Sequence, residues 1–184
     1  MKIFFIGTPR GDLVNGKLIY ETLEKLGHKH TTDFMARINP TSFYVEDEKT
    51  WQKRYASRLG EIARADVCVF EVSMHSLAIG QLTQEAIRNE KPTILLYLQG
   101  KKPYFFRGAA EAESRVQLLE YTTDTLQDVL SYALEIAQEL LTTRFTMLMP
   151  KELNTFLDKI HKQTGLSRSE YIRKLIMEKM KGEK

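Results

Sequence analysis

The sequence predicts an α/β protein with a flavodoxin-like, mostly parallel sheet, helices on both faces, and a small C-terminal ribbon-helix-helix unit. Short apolar segments alternate with longer segments of helical periodicity, which indicates parallel strands joined by crossover helices. This alternation stops near Thr142, and one alternating strand and two amphipathic helices follow. We therefore expect two domains, residues 1–143 and 144–184.

The elements of the larger domain follow from apolar runs and turn residues, taken in chain order. Lys2–Ile6 is predicted as a buried strand that ends at the turn 7–11, and the helix after it stops at Gly27. Residues 28–50 are polar and irregular, and their pattern predicts no element. The remaining predicted elements are helices over 51–65, 80–89 and 126–141 and strands over 66–72, 93–98 and 116–121.

The smaller domain begins with a predicted strand over 144–150, whose alternate residues lie on opposite faces. Pro150 suits the first turn of a helix, and Gly165 suits its left-handed end. Ser167 and Glu170 have the spacing of a capping box, which predicts the start of a second helix. One strand and two short helices bury too little surface to fold alone, so we expect two copies to pair.

Residues 144–180 resemble the ribbon-helix-helix repressor family, most specifically in the turn 165–169. A two-stranded ribbon of this kind fits the major groove of B-DNA. The resemblance implies two sets of contacts with double-stranded DNA. The residues that would face the groove are Arg144, Thr146 and Leu148. The residues that would hold a phosphate, at the N-terminus of the second helix, are Ser167, Arg168 and Ser169.

One residue departs from that family, and one alternative remains open. The family usually has a polar residue where this chain has Leu148, although an apolar side chain can contact a thymine methyl group. The alternative is a dimerisation module with no role in DNA binding. Charge favours DNA: residues 144–184 carry ten basic and five acidic residues, whereas the preceding residues carry 17 basic and 19 acidic ones.

The larger domain carries five segments in register, at 4–11, 65–73, 76–80, 91–92 and 107–110. Together they resemble the nucleoside 2-deoxyribosyltransferase-like family, and within it the deoxynucleoside monophosphate N-glycosidases. The resemblance implies a site at the carboxyl ends of the strands. Glycines in such a site let backbone amides approach phosphate, and an arginine can hold it in a fork. The residues that the resemblance places around a nucleotide are Gly7, Thr8, Arg10, Gly11, Ser76 and Gly80.

The departures from this second family concern catalysis. The family's glutamate nucleophile is replaced by Leu82, and an aspartate of the family is replaced by Arg58. Glu85 offers a carboxylate one helical turn away, but a shift of ~5 Å would require a rebuilt pocket. We therefore expect no catalytic residue. Arg58 is expected either to bind a phosphate-bearing ligand or to pair with Glu61 or Glu85 and close the pocket.

The sequence gives little support for a reactive cysteine, a disulfide, a membrane span or a metal site. Cys68 lies in a predicted strand and is expected to be buried rather than reactive. A single cysteine forms no internal disulfide, and no apolar run has the ~20 residues of a membrane span, so we expect a cytoplasmic protein. The four histidines, at positions 28, 30, 75 and 161, show no metal-ligand spacing, and we expect neither metal nor cofactor.

These observations favour a transcriptional regulator that binds DNA as a homodimer or higher even oligomer. Its larger domain would be a catalytically degenerate nucleotide site that senses a phosphate-bearing ligand or only oligomerises. The first alternative is an active nucleoside or nucleotide N-glycosidase or deoxyribosyltransferase with a dimerising tail. The second is an antitoxin-like protein whose partner is another protein.

Overall fold

The computed structural model describes residues 1–8, 13–39, 47–141 and 147–182. They form two compact units, Met1–Thr143 and Arg144–Lys184. In the described part of the chain, no helix combines the length and the apolar character that crossing a membrane requires.

The larger unit contains a five-stranded, all-parallel sheet in the order β2-β1-β3-β4-β5. This is the flavodoxin-like order, so the predicted fold class is confirmed. The central strands are almost wholly buried because helices cover both faces of the sheet. The strands are β1 (Lys2–Ile6), β2 (Lys29–His30), β3 (Val67–Glu71), β4 (Thr93–Leu98) and β5 (Val116–Tyr121).

Six helices belong to this unit in the described ranges. Two of them have side-chain caps: Asp47 accepts a hydrogen bond from the Thr50 amide at 2.7 Å, and Ser76 accepts one from the Ile79 amide at 3.3 Å. The helices are α1 (Leu13–Lys25), α2 (Phe34–Arg37), α3 (Glu48–Arg64), α4 (Leu77–Arg88), α5 (Tyr104–Ala112) and α6 (Leu126–Leu140).

Two predicted helices begin earlier in the structure, and three elements were not predicted. The helix predicted from residue 80 begins at Leu77, because Ser76 caps it, and the helix predicted from residue 51 begins at Glu48, because Asp47 caps it. The unassigned stretch contains β2 and α2, with two and four residues. Helix α5 lies in a stretch where no element was predicted.

Cys68 lies at the centre of the sheet, where it pairs in register with Phe4. The side chain is fully buried, as predicted. Burial disfavours the charged thiolate and raises the pKa of the Cys68 thiol to about 12. The thiol is therefore a core group and not a nucleophile at neutral pH.

The smaller unit contains two helices, α7 (Lys151–Thr164) and α8 (Arg168–Gly182). Gly165 ends α7 in the left-handed conformation, with φ of 75°. The predicted capping box is present: the Ser167 amide donates to the Glu170 carboxylate at 2.7 Å, and the Glu170 amide donates to the Ser167 hydroxyl at 3.3 Å. Glu170 is thereby held as a carboxylate, and its pKa is lowered by these bonds.

The strand predicted over 144–150 is described only from residue 147. Residues 147–150 belong to neither a helix nor a strand in the single chain, and Arg144 and Thr146 lie outside the described residues. A ribbon needs a second strand to bond with, and the predicted partner of this one is another copy of the chain.

Candidate ligand pocket and nucleic-acid interface

The turn after β1 begins with Gly7 and Thr8. The Gly7 amide points at the Met35 sulfur at 3.4 Å, and a Cβ atom at this position would lie 3.2 Å from the Glu71 Cβ. A side chain here would therefore crowd β3, which accounts for the glycine. Thr8 is buried. Arg10 and Gly11, which the resemblance also places at the site, lie outside the described residues.

Ser76 and Gly80 lie at the start of α4. The Ser76 hydroxyl accepts the Ile79 amide as the helix cap, so it is engaged within the protein. Gly80 has open space around it, because a Cβ atom there would meet nothing within 4 Å. Packing within the protein thus does not require a glycine at this position.

A pocket of about 120 Å³ lies between α3 and α4, and we call it the Leu82 pocket. Leu82, at the position of the glutamate nucleophile in the resembled family, forms part of its wall and is only 6% exposed. The other apolar lining residues are Ile6, Phe34, Trp51, Tyr55 and Ala78. Arg54, Arg58 and Gln81 complete the lining, and none of the described lining residues carries a carboxylate.

Arg58 forms a buried ion pair beside this pocket. Its guanidinium bonds to the Glu61 carboxylate and donates to the Thr32 hydroxyl at 2.7 Å, and it lies 4.6 Å from the centre of the Phe34 ring. The Arg58 and Glu61 side chains are 13% and 11% exposed. The Ser57 hydroxyl donates to the same carboxylate at 3.0 Å. Of the two roles left open for Arg58, the structure thus shows the pairing with Glu61.

The Glu85 carboxylate is engaged by neighbouring residues of its own helix and the residue that follows it. Its carboxylate pairs with Arg88 at 2.8 Å and accepts from the Asn89 amide group at 2.9 Å. It is not among the residues that line the Leu82 pocket. The alternative of a carboxylate shifted by one turn therefore finds no support in this geometry.

A second, more polar pocket of about 160 Å³ lies at the carboxyl ends of β3, β4 and β5. Ser73 connects two of these strand ends: its hydroxyl donates to the buried Glu71 carboxylate and accepts the Leu98 amide at 2.7 Å. Asn15 and Lys101 also line it. This arrangement fixes the Glu71 carboxylate in place.

Four residues of the predicted DNA interface lie among the described residues of the smaller unit, and one of them, Ser167, caps α8 as described above. Leu148 is 99% exposed. Arg168 is exposed but engaged, because its Nε donates to the Asp158 carboxylate at 2.9 Å. Ser169 is exposed. Releasing Arg168 to a phosphate would require exchange of the Asp158 carboxylate for the phosphate oxygen, which is an exchange of one ion pair for another.

The aromatic wall of the Leu82 pocket was missed by the sequence analysis. Trp51, Arg54, Tyr55 and Arg58 are spaced by three, one and three residues, which places them on one face of a helix. That spacing was a usable signal. Phe34 gave none, because it lies in a four-residue helix within the unassigned stretch.

The fold and these features define a two-unit protein: a flavodoxin-like α/β unit with a pocket between two of its helices, and a ribbon-helix-helix unit. Residues 142–177 match the family model of the ribbon-helix-helix domain. Among solved structures, the CMP N-glycosidase of Clostridium botulinum is similar with a TM-score of 0.51 and 14% identity, covering 71% of this chain and 99% of that chain. At this identity the likeness shows the fold alone. No curated protein gives a significant match.

Proposed function

We propose that the protein is a transcriptional regulator that binds double-stranded DNA as a homodimer or higher even oligomer. The match of residues 142–177 to the ribbon-helix-helix domain carries the proposal. The dimer is supported by the apolar side chains that this unit leaves uncovered in a single chain. Among the described residues of this unit, only Leu157 of the large apolar side chains is buried. Exposed are Met147, Leu148, Leu153, Phe156, Leu175, Ile176, Met177 and Met180. Pairing with a second copy would cover such a face.

DNA contact is proposed for Arg144, Thr146 and Leu148, which the resemblance to the ribbon-helix-helix family places against the groove, and for the turn at Ser167, Arg168 and Ser169. The net positive charge of residues 144–184 supports it, because phosphate contacts dominate affinity and make it depend on salt. We expect binding of double-stranded DNA that weakens steeply as salt rises. In this proposal the protein acts in the cytoplasm.

Binding is tested by fluorescence titration of labelled duplex DNA across a salt series. Arg168→Ala should weaken binding and reduce the salt slope by about one charge. Arg107→Ala is the control, because Arg107 is also an exposed arginine in an ion pair, with Glu111 at 2.8 Å, but belongs to the larger unit. DNA affinity equal to that of a chain ending at Thr143 would contradict the proposal.

The larger unit is proposed to be catalytically degenerate and to sense a small phosphate-bearing ligand. Leu82 supports the first part, because leucine offers no nucleophile. We assign phosphate contact to Gly7, Thr8, Arg10, Gly11, Ser76 and Gly80. The ion pair with Glu61 supports a different role for Arg58, that of holding the pocket wall, because its charge is already matched.

Both parts have direct tests. Product analysis with deoxynucleoside monophosphates should detect no released base, whereas base release that is lost in Glu85→Gln would establish an enzyme. Calorimetry with mono-, di- and triphosphate nucleotides should detect binding that Arg10→Ala abolishes. A bound nucleotide should also change DNA affinity, because only a ligand that distinguishes the two states can regulate.

A further inference from the structure

We propose that the Leu82 pocket is a binding site for one small, uncharged aromatic ring that carries no phosphate. The inference rests on the proposed sensing function only for its regulatory consequence, because binding itself follows from the pocket. Size, lining and charge support it independently.

The size of the pocket suits one ring. At about 120 Å³, it is slightly smaller than an apolar engineered cavity of ~150 Å³ that stays dry and takes up benzene. Sites for larger ligands usually enclose ~300–1,000 Å³. The pocket therefore fits a six-membered ring and is too small to enclose a whole nucleotide.

The lining of the pocket suits an aromatic ligand. Phe34, Trp51 and Tyr55 contribute three rings from two helices, and Leu82 and Ile6 add aliphatic surface. Trp51 is 38% exposed and Tyr55 is 45% exposed, so both lining side chains keep surface accessible to water. A ring seated there would remove this surface from water and could stack against them.

The apolar wall of the pocket, rather than its charge, disfavours an anion inside it. Arg58 is matched by Glu61 and lies over Phe34 rather than presenting an uncompensated charge. Leu82 gives the wall no charge at the position where the resembled family has a carboxylate. A phosphate in this pocket would lose water against hydrocarbon, which is strongly unfavourable. Arg54 also lines the pocket, and a guanidinium stacks well on a neutral ring.

The two helices that form the pocket are joined at its rim. The Gln81 amide group donates to the Tyr55 hydroxyl at 3.4 Å, which links α4 to α3. A ring inserted below this bond would contact both helices at once. Ligand occupancy is thereby coupled to the spacing of α3 and α4, which is the physical route by which the larger unit would respond.

The sequence provides a direct probe, because Trp51 is the only tryptophan in the chain. The full-length protein is titrated with benzyl alcohol, an uncharged single-ring probe, while Trp51 fluorescence is recorded. We expect a saturable change in emission. A cyclohexyl analogue without an aromatic ring should bind more weakly, and deoxycytidine monophosphate should not compete with benzyl alcohol.

Matched variants locate the binding. Leu82→Glu puts a charge into the wall and should lower the affinity for benzyl alcohol at least about tenfold. Leu77→Glu is its control, because it makes the same change on the same helix at a residue that is 92% exposed and does not line the pocket. Ala78→Leu fills the pocket from an exposed position, so it should also weaken binding, and it serves if Leu82→Glu fails to fold.

The outcomes separate this inference from the proposed function. A response that does not saturate, or that is unchanged in Ala78→Leu, overturns the inference. If only the nucleotide binds, the ring site is refuted while phosphate sensing stands. If benzyl alcohol binds as expected but leaves DNA affinity unchanged, the ring site is established and its role in sensing is refuted.

Discussion

The buried pair of Arg58 and Glu61 predicts a large loss of stability when only one partner is removed. Glu61→Gln keeps the shape of the side chain but leaves the Arg58 charge without its counter-ion. Breaking a buried ion pair in this way costs about 3–5 kcal/mol. Arg58 keeps its bond to the Thr32 hydroxyl, and both side chains retain slight exposure. We therefore expect a loss of about 2–3 kcal/mol in the free energy of unfolding.

For a unit of this size, such a loss should lower the melting temperature by about 5–10 °C. Urea or thermal unfolding followed by Trp51 fluorescence reports on the larger unit alone, because the smaller unit contains no tryptophan. Glu111→Gln provides the control: it neutralises an exposed helical ion pair with Arg107 and should cause no measurable change.

A double variant tests the cause of the effect. Arg58→Met combined with Glu61→Leu replaces both charges with apolar groups and should recover most of the lost stability. We thus expect the unaltered protein and the double variant to have similar free energies of unfolding, and Glu61→Gln to have a clearly lower one. If Glu61→Gln is no less stable than Glu111→Gln, the pair does not contribute as the geometry indicates, and the reasoning is refuted.

Three further predictions concern the two units separately. Met147→Asp should abolish DNA binding in a titration, because the predicted ribbon would place this charge in a shared core; unchanged binding would contradict the ribbon. Gly165→Ala should cost about 1 kcal/mol in denaturant unfolding followed by circular dichroism at fixed protein concentration, because φ of 75° disfavours a side chain. Cys68 should react with a thiol reagent only as fast as the protein unfolds; its pKa is raised from 9.0 to about 12, so its contribution to stability is present below about pH 9 and lost as the pH rises toward 12.

The sequence predicted the elements that carry continuous apolar patterns. Strands β3 and β4, and β1 after Lys2, were found because a parallel strand covered on both faces must be apolar along its length. Strand β5 lies at the edge of the sheet and was found from its shorter apolar core, although it includes Gln117 and Glu120. Strand β2 and helix α2 are too short to show a period. Helix α5 was missed although its sequence is amphipathic: it has only nine residues, and none of them is fully buried.

Of the candidate site, too, the sequence predicted only the features that depend on a single position. Leu82 was recognised because a missing nucleophile is a property of one position, readable without coordinates. The partner of Arg58 was not decided by the sequence, because Glu61 and Glu85 are both within plausible reach along the helices. Only the packing of α3 against the Thr32 and Phe34 segment decides between them. The aromatic pocket also depends on such contacts between distant segments.

The uncovered apolar face of the ribbon-helix-helix unit has a consequence for how operator occupancy would vary in a cell. In the proposed dimer, folding of this unit and association are one bimolecular step, so its stability rises with protein concentration. Operator occupancy would then respond to the square of monomer concentration where monomers predominate. A chain with a damaged larger unit but an intact α7 and α8 would still capture normal chains into mixed dimers. Such a mutation would therefore be dominant negative when a normal copy of the gene is also expressed.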